Sequence, residues 1–233
     1  MNLVNLKVAC FLYNQFTDYD NNYLKFLSRY KSIDLSTIDQ VIDLIKWLRS
    51  WGCRQFKIEF EDISISSIIN WYRVNSLKIP KINNHLIDYN LDKNQDQIIE
   101  IFDDLSMREA SKKKYRDKTI NIRIGPVGTA KTLFALRPNL FSPWDISIYQ
   151  HFKLDGNGYG YIEYLSKIQK NLKELREESV KSNLDWDNIF TYLNKKHSYY
   201  PKLIDEYFWV TITKGCDTAV IEKIFCGKTD LMI

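Results

Sequence analysis

The sequence predicts an all-helical protein, and two of its features support that prediction. Residues that break helices are scarce, since the 233 residues include only 8 Gly and 5 Pro. Apolar residues also recur with helical spacing over most of the chain. Alternation typical of a strand occurs at residues 119–124, where Ile120, Ile122 and Ile124 alternate with polar side chains. One short strand does not make a sheet, so helices are expected to build the fold.

The clearest helix is predicted at residues 36–51. Its apolar residues begin at Ile38 and follow at intervals of 3, 1, 3, 3 and 3, which places them on one helical face. A serine at the start can cap the first turn, and Gly52 can end the helix in a left-handed conformation. The same spacing predicts helices at residues 19–30, 62–77, 93–110, 159–178, 185–196 and 202–213.

The expected domain organisation is a single two-lobed helical domain over residues 1–233. A chain of this length can bury a substantial core, and it contains no repeat and no low-complexity linker. Residues 60–150 are expected to form a central lobe, and the helices of the two ends the other lobe.

Composition excludes several classes of protein. No apolar stretch approaches the ~20 residues of a membrane span, and the N-terminus lacks a leader pattern, so we expect a cytoplasmic protein without a membrane partner. The three histidines lie far apart, and the four cysteines are scattered, which predicts reduced thiols and neither metal nor cofactor. We expect a monomer. The net charge of +4 permits binding to nucleic acid without requiring it.

A glycine-rich segment at residues 124–148 contains the patterns that bear on function. Gly125, with four residues between it and the sequence AKT at 130–132, differs by one residue from the phosphate-binding loop G-x-x-x-x-G-K-[ST]. In that loop, backbone amides hold the phosphates, the lysine contacts the outer ones and the hydroxyl binds magnesium. Against this interpretation, Pro138 would end the following helix early. The acidic strand that the motif needs has its nearest match at residues 203–206, close after a proline.

The same segment fits a second pattern, in which two helices are joined by a glycine-containing turn. Residues 126–128 would form the turn, residues 129–136 the second helix, and Ser-Pro-Trp-Asp at residues 142–145 would lead into the next helix. This arrangement resembles the core of the helix-hairpin-helix DNA glycosylases. The resemblance implies a two-lobed all-helical fold, double-stranded DNA as the partner, and Asp145 as the catalytic residue.

The resemblance also implies which residues contact the DNA backbone. A turn of this kind presents amides and a helix N-terminus to a phosphate, which here points to Gly125, Val127, Gly128 and Thr129. The pattern departs from the family at two positions. A proline stands where the hairpin usually has its first glycine, and the lysine of strand-cleaving members is replaced by alanine, with Lys131 one residue further on.

The departure at Lys131 bears on mechanism. One residue turns a helix by about 100°, so the sequence leaves open whether Lys131 faces the aspartate. Lys131 would act either as a nucleophile or as a contact to phosphate, and the contact is favoured. A glycosylase that uses the aspartate alone is therefore expected rather than one that also cleaves the strand.

Cleavage of an N-glycosidic bond needs a carboxylate close to the sugar, because positive charge develops there as the base leaves. Asp145 directly precedes a predicted helix, whose amide dipoles favour the ionised form. A base that is flipped out of the duplex is usually stacked on aromatic rings. Trp144, next to the aspartate, and Tyr149, about one helical turn later, are the candidate pocket residues.

A basic run precedes the glycine-rich segment and is a candidate for phosphate binding. It contains Lys112, Lys113, Lys114 and Arg116. A solvated loop is the alternative, because runs of charge are often exposed surface.

Three alternatives to a glycosylase remain open. The chain can be a DNA-binding protein that keeps the hairpin without the chemistry. It can bind a nucleoside triphosphate through Lys131 and Thr132. The glycine and the prolines can also merely interrupt an all-helical chain, with Asp145 as a helix cap.

Overall fold

The fold is formed by ten α-helices and one small antiparallel sheet within the described part of the chain. The computed structural model describes residues 1–218 except residues 31 and 117, together with residues 220 and 223. The strands β1 (Glu109–Tyr115) and β2 (Lys118–Arg123) pair in the basic region, and we call them the basic hairpin. The helices are α1 (Leu3–Phe16), α2 (Tyr19–Leu27), α3 (Ile38–Ser50), α4 (Glu61–Asn75), α5 (Leu91–Met107), α6 (Gly125–Leu136), α7 (Ile146–His151), α8 (Gly158–Lys181), α9 (Ile189–Tyr192) and α10 (Tyr200–Phe208).

The prediction of a mostly helical fold is confirmed. The helix predicted at residues 36–51 is α3, and Gly52 follows it with a φ of +81°, the left-handed conformation expected at a helix end. The helices predicted from residues 62, 93 and 159 are α4, α5 and α8, each displaced by one or two residues at its start. Hydrophobic periodicity was sufficient here because each of these helices buries one face.

Other elements differ from the prediction. The first helix, α1, was not predicted because apolar residues occupy most of its positions and leave no periodic face. β1 carries three consecutive lysines and no alternation, and it forms a strand through its pairing with β2. The helix predicted at residues 185–196 is reduced to a 3-10 turn and the short α9. The helix predicted at residues 202–213 is divided into α10 and a π-helical turn at Trp209–Thr213.

The core is one continuous cluster of buried apolar side chains that includes residues from α1 through α10. Its most enclosed element is α6, in which every residue from Gly128 to Leu136 is buried. A helix that is apolar on all sides is stable only in such a position. The segment that carries the candidate site therefore lies within the protein rather than on a surface loop.

Helix α8 holds the segment before α7 in place. The hydroxyl of Tyr161 donates a hydrogen bond to the backbone oxygen of Ser142 at 2.8 Å, and that of Tyr164 donates to Pro143 at 3.1 Å. At the start of α8, the amide of Gly158 donates to the carboxylate of Asp103 on α5 at 2.7 Å. These contacts fix the backbone that leads to residue 145. None of the helices that the structure describes is long and apolar enough to cross a lipid bilayer.

We expect Gly158→Ala to destabilise the protein by about 1–3 kcal/mol. A Cβ atom at residue 158 would lie 2.7 Å from the Cα of Ile99, and backbone atoms cannot move aside as a flexible side chain can. The measurement is the free energy of unfolding in urea. Ser166→Ala on the exposed side of α8 is the control and should change it by less than about 0.5 kcal/mol. Equal stability of the two variants would contradict the close contact of α5 and α8.

Candidate active site

An ion pair between Lys131 and Asp145 lies at the centre of the candidate site. Nζ of Lys131 donates hydrogen bonds to Oδ1 of Asp145 at 3.1 Å and to the backbone oxygen of Trp51 at 2.8 Å. Lys131 is in the second turn of α6, and Asp145 directly precedes α7. The sequence left open whether this lysine faces the aspartate. The structure brings the two side chains together.

The lysine of this pair is held in its charged form. Burial disfavours the ammonium group of Lys131, but the influence of Cys53 and Asp145 outweighs burial and raises its pKa. Burial also raises the pKa of the Cys53 thiol, to about 11. Because that thiol is neutral at physiological pH, Asp145 is the anion that keeps Lys131 protonated there. A protonated amine is not a nucleophile, so the resting site favours a charge-stabilising lysine over a Schiff-base lysine.

The two members of the pair differ in exposure. The side chain of Lys131 is 8% exposed and that of Asp145 is 30% exposed. Lys131 therefore lies behind the carboxylate rather than at the surface, where a contact to phosphate was expected. Asp145 occupies the N-cap position of α7, as the helix-cap interpretation predicts, but its carboxylate engages this lysine and accepts no hydrogen bond from the amides of α7. Asp145 is the member of the pair that a bound molecule can reach.

Aromatic side chains enclose the ion pair in a narrow crevice. The volume of the crevice is about 20 Å³, which is room for about one water molecule. Tyr19 and Trp209 contact each other edge to face, with ring centroids 6.3 Å apart. Trp209 begins the π-helical turn, a backbone form that recurs at functional sites. The lining residues are Tyr13, Tyr19, Trp51, Lys131, Pro143, Trp144, Asp145, Asp205 and Trp209.

The two aromatic residues predicted for a base pocket have different positions. Trp144 lines the crevice, but it is fully buried and its indole nitrogen donates to the backbone oxygen of Pro126 at 3.1 Å. It contacts Tyr161 at 5.2 Å between ring centroids and so forms part of the core. The ring of Tyr149 packs against that of Trp144 with the centroids 4.9 Å apart, and Tyr149 does not line the crevice.

The predicted turn between two helices is not present, and this part of the prediction is wrong. Residues 126–128 form the first turn of α6, which follows β2 rather than a helix. Gly125 has a φ of +68°, which permits the sharp change from strand to helix. Gly128 and Thr129 are buried, so they do not present amides to a DNA backbone in this conformation, whereas Gly125 and Val127 are half-buried.

The phosphate-binding loop is also not formed. Residues 125–132 are helical, whereas that motif requires a loop whose amides point inward around the phosphates. The hydroxyl of Thr132 donates to the backbone oxygen of Gly128 at 2.8 Å inside the buried helix. The nearest acidic match, residues 203–206, lies in α10 and not in a strand. Helical packing of α6 therefore overrides the resemblance to the motif.

The predicted basic run forms the outer part of the basic hairpin. Lys113, Lys114 and Arg116 are exposed and Lys112 is half-buried. Lys113 pairs with Ile120 and Tyr115 with Lys118 across the hairpin, and Ile120 and Tyr115 are 44% and 53% exposed. The run is thus a surface feature on a defined backbone. Within the described residues, no group of three or more potential ligands is arranged to hold a metal ion.

Several residues of the site were missed by sequence reasoning. Trp51, at the end of α3, supplies the second acceptor for Lys131, and Asp205 of α10 also lines the crevice. The sequence predicts a helix at residues 202–213, which contains Asp205, but it offers no local signal that this helix brings Asp205 to the crevice.

No known protein family, curated protein or solved structure matches this chain.

We expect Lys131→Met to destabilise the protein by about 1–3 kcal/mol, because it leaves the backbone oxygen of Trp51 and the carboxylate of Asp145 without their donor. The measurement is the free energy of unfolding at neutral pH. The control is Lys170→Met, at a lysine that is 79% exposed, and its effect should stay within about 0.5 kcal/mol. A change as small as that of the control would mean that the ion pair does not form in solution.

Proposed function

We propose that this protein binds DNA and removes a base by cleaving its N-glycosidic bond, with Asp145 as the catalytic residue. The observation that carries the proposal is the ion pair of Lys131 and Asp145 in an aromatic crevice. It joins a carboxylate, a buried cation and stacking surfaces in one place, and the lysine and aspartate are the residue types of the glycosylase pattern.

The chemistry assigned to the pair follows from its charges. As the base departs, the sugar acquires positive charge, and the carboxylate of Asp145 stabilises that charge or orients the attacking water. Lys131 keeps the carboxylate in one orientation through its hydrogen bond. Because Lys131 is protonated at rest, we propose hydrolysis of the N-glycosidic bond without cleavage of the DNA strand.

A base enters only if the crevice opens. The closed crevice holds about one water molecule, so Tyr19 and Trp209 must separate before a flipped nucleotide can reach Asp145. Both residues lie at ends of helical elements, Tyr19 at the first residue of α2 and Trp209 at the start of the π-helical turn. Neither residue belongs to the central helix α6.

The basic hairpin is the proposed contact to the DNA backbone. Its second strand ends at Arg123, directly before α6, the helix that carries Lys131. Phosphates bound by Lys113, Lys114 and Arg116 would therefore be held at a fixed position relative to that helix. Exposed lysine and arginine side chains on one hairpin bind phosphates without reading sequence. The half-buried start of α6, at Gly125 and Val127, lies next to this hairpin along the chain.

We expect Asp145→Asn to lower single-turnover base release by at least about 10²-fold while DNA binding changes little. The substrates are duplexes that carry uracil, 8-oxoguanine, alkylated or mismatched bases, with alkali added to reveal abasic sites. Asp92→Asn, at an exposed carboxylate of α5, is the matched control and should retain full activity.

The outcomes separate the alternatives. Release by wild type and by Asp92→Asn, but not by Asp145→Asn, supports the proposal. Binding of duplex DNA without release of any base would favour a non-catalytic DNA-binding protein instead. Strand breaks before alkali would restore a nucleophilic role for Lys131.

We expect replacement of Lys113, Lys114 and Arg116 by alanine to weaken DNA binding and reduce its dependence on salt. Each lost contact to a phosphate should lower the slope of log K against log salt by about 0.9. The measurement is fluorescence anisotropy over a series of salt concentrations. Alanine at Lys170, Lys173 and Lys181, all exposed on α8, is the matched control, and an equal effect there would refute a specific role for the hairpin.

A further inference from the structure

A buried cluster of charged side chains adjoins the crevice. Nζ of Lys202 lies 3.0 Å from Oε1 of Glu206, and Nζ of Lys195 approaches Oε2 of Glu206 at 2.8 Å without hydrogen-bond geometry. Nζ of Lys195 also lies 2.7 Å from Oδ2 of Asp20. The two lysine side chains are 4% exposed or less, and that of Glu206 is fully buried. Buried charges of this kind are stable only when they are paired.

Asp205 joins this cluster to the crevice, and it is the least paired member. Its Oδ2 lies 3.9 Å from Nζ of Lys202, beyond hydrogen-bond distance, while the residue is 7% exposed and lines the crevice with Asp145. The crevice and the cluster together contain three ammonium groups and four carboxyl groups. The ammonium groups are those of Lys131, Lys195 and Lys202, and the carboxyl groups are those of Asp20, Asp145, Asp205 and Glu206.

This set of charges balances when one carboxyl group carries a proton. Among the residues that the structure describes, Asp145, Asp20 and Glu206 each have an ammonium group within 3.1 Å, whereas Asp205 does not. Burial, opposed by Lys202 and reinforced by Asp145, raises the pKa of Asp205 to about 8. The titratable groups that interact electrostatically with Asp205 lie on α1, α6, α8, α10 and the segment before α7. They are Tyr13, Lys131, Asp145, Tyr161, Tyr164, Lys202 and Glu206.

We propose that Asp205 is a second catalytic residue, a neutral carboxyl group that protonates the departing base while Asp145 stabilises the sugar. This inference rests on the function proposed above. The two carboxyl groups line one crevice but have different environments. Asp145 is paired with a lysine, whereas Asp205 is buried with Lys202 at 3.9 Å. Such a difference allows one group to act as the acid and the other as the anion.

The reaction balances with water as the only co-reactant. The bond between the sugar carbon and the base nitrogen breaks, and its electron pair stays with the base. The proton of Asp205 goes to a ring nitrogen of the base, so that the base leaves neutral. Water then adds to the sugar carbon, and the proton that it loses restores the carboxyl group of Asp205. The products are a free base and a sugar hydroxyl.

The test compares two leaving groups in wild type, Asp205→Asn and Asp145→Asn. Hypoxanthine is a neutral purine that needs a proton to leave well, whereas 7-methylguanine already carries positive charge. We expect Asp205→Asn to slow hypoxanthine release by about 10²- to 10⁴-fold and 7-methylguanine release by no more than a few-fold. Asp145→Asn should slow both. In wild type, hypoxanthine release should fall as pH rises through about 8, because only the protonated acid is active.

Each outcome decides between the two proposals. An equal effect of Asp205→Asn on both substrates, or none on hypoxanthine, would overturn the role of Asp205 and leave the proposed function standing. Release of the cationic base alone would do the same, since that reaction needs no proton donor. If hypoxanthine alone is released, two results are required. Its release by wild type must fall as pH rises through about 8, and Asp205→Asn must lose the activity. No release of any base by wild type would refute both proposals.

A second measurement is independent of turnover. Because the pKa of Asp205 is raised in the folded protein, its contribution to stability is present below its unfolded pKa of about 4 and is lost as pH rises to about 8. Asp205→Asn should therefore gain stability relative to wild type between about pH 5 and pH 8. A constant difference over that range would mean that Asp205 is ionised throughout, and it would overturn the inference.

Discussion

The ammonium group of Lys131 can be buried only because two acceptors from distant parts of the chain meet it there. One is the backbone oxygen of Trp51 at the end of α3, and the other is the carboxylate of Asp145 before α7. An unpaired charge in the core would cost several kcal/mol, so α3, α6 and the start of α7 are held in one mutual arrangement. The same requirement leaves the carboxylate of Asp145 as the reachable part of the pair.

The second buried cluster, which adjoins the crevice through Asp205, is subject to the same constraint. Lys195 and Lys202 connect α10 to Asp20 of α2, and Lys202 lies 4.0 Å from the ring centroid of Tyr13 on α1. The N-terminal helices are thus attached to the C-terminal one through charges as well as apolar contacts. Asp205, at the edge of this cluster, belongs both to the buried charged groups and to the proposed catalytic site.

The sequence could predict the features that depend on local residue spacing, but not those that depend on contacts between distant segments. The face of α3 could be predicted because one periodic stripe determines which side is buried, and Gly52 marks its end. The local pattern at residues 142–145 was sufficient to predict Asp145 as a candidate catalytic residue. The sequence did not determine whether Lys131 faces Asp145. The direction of its side chain depends on the residue at which α6 begins, and that residue depends on where β2 ends.

The sequence by itself determined the helical class of the fold, most helix positions, and Asp145 as a candidate catalytic residue. Each of these features depends on the spacing of residues within one segment, so that segment is sufficient to predict it. Only the tertiary structure decided that residues 125–132 are helix rather than a phosphate loop or a hairpin, and that Asp205 joins the site. Packing against α3 and α5 selects one backbone among several local possibilities, and pairing of buried charges depends on residues far apart in the chain.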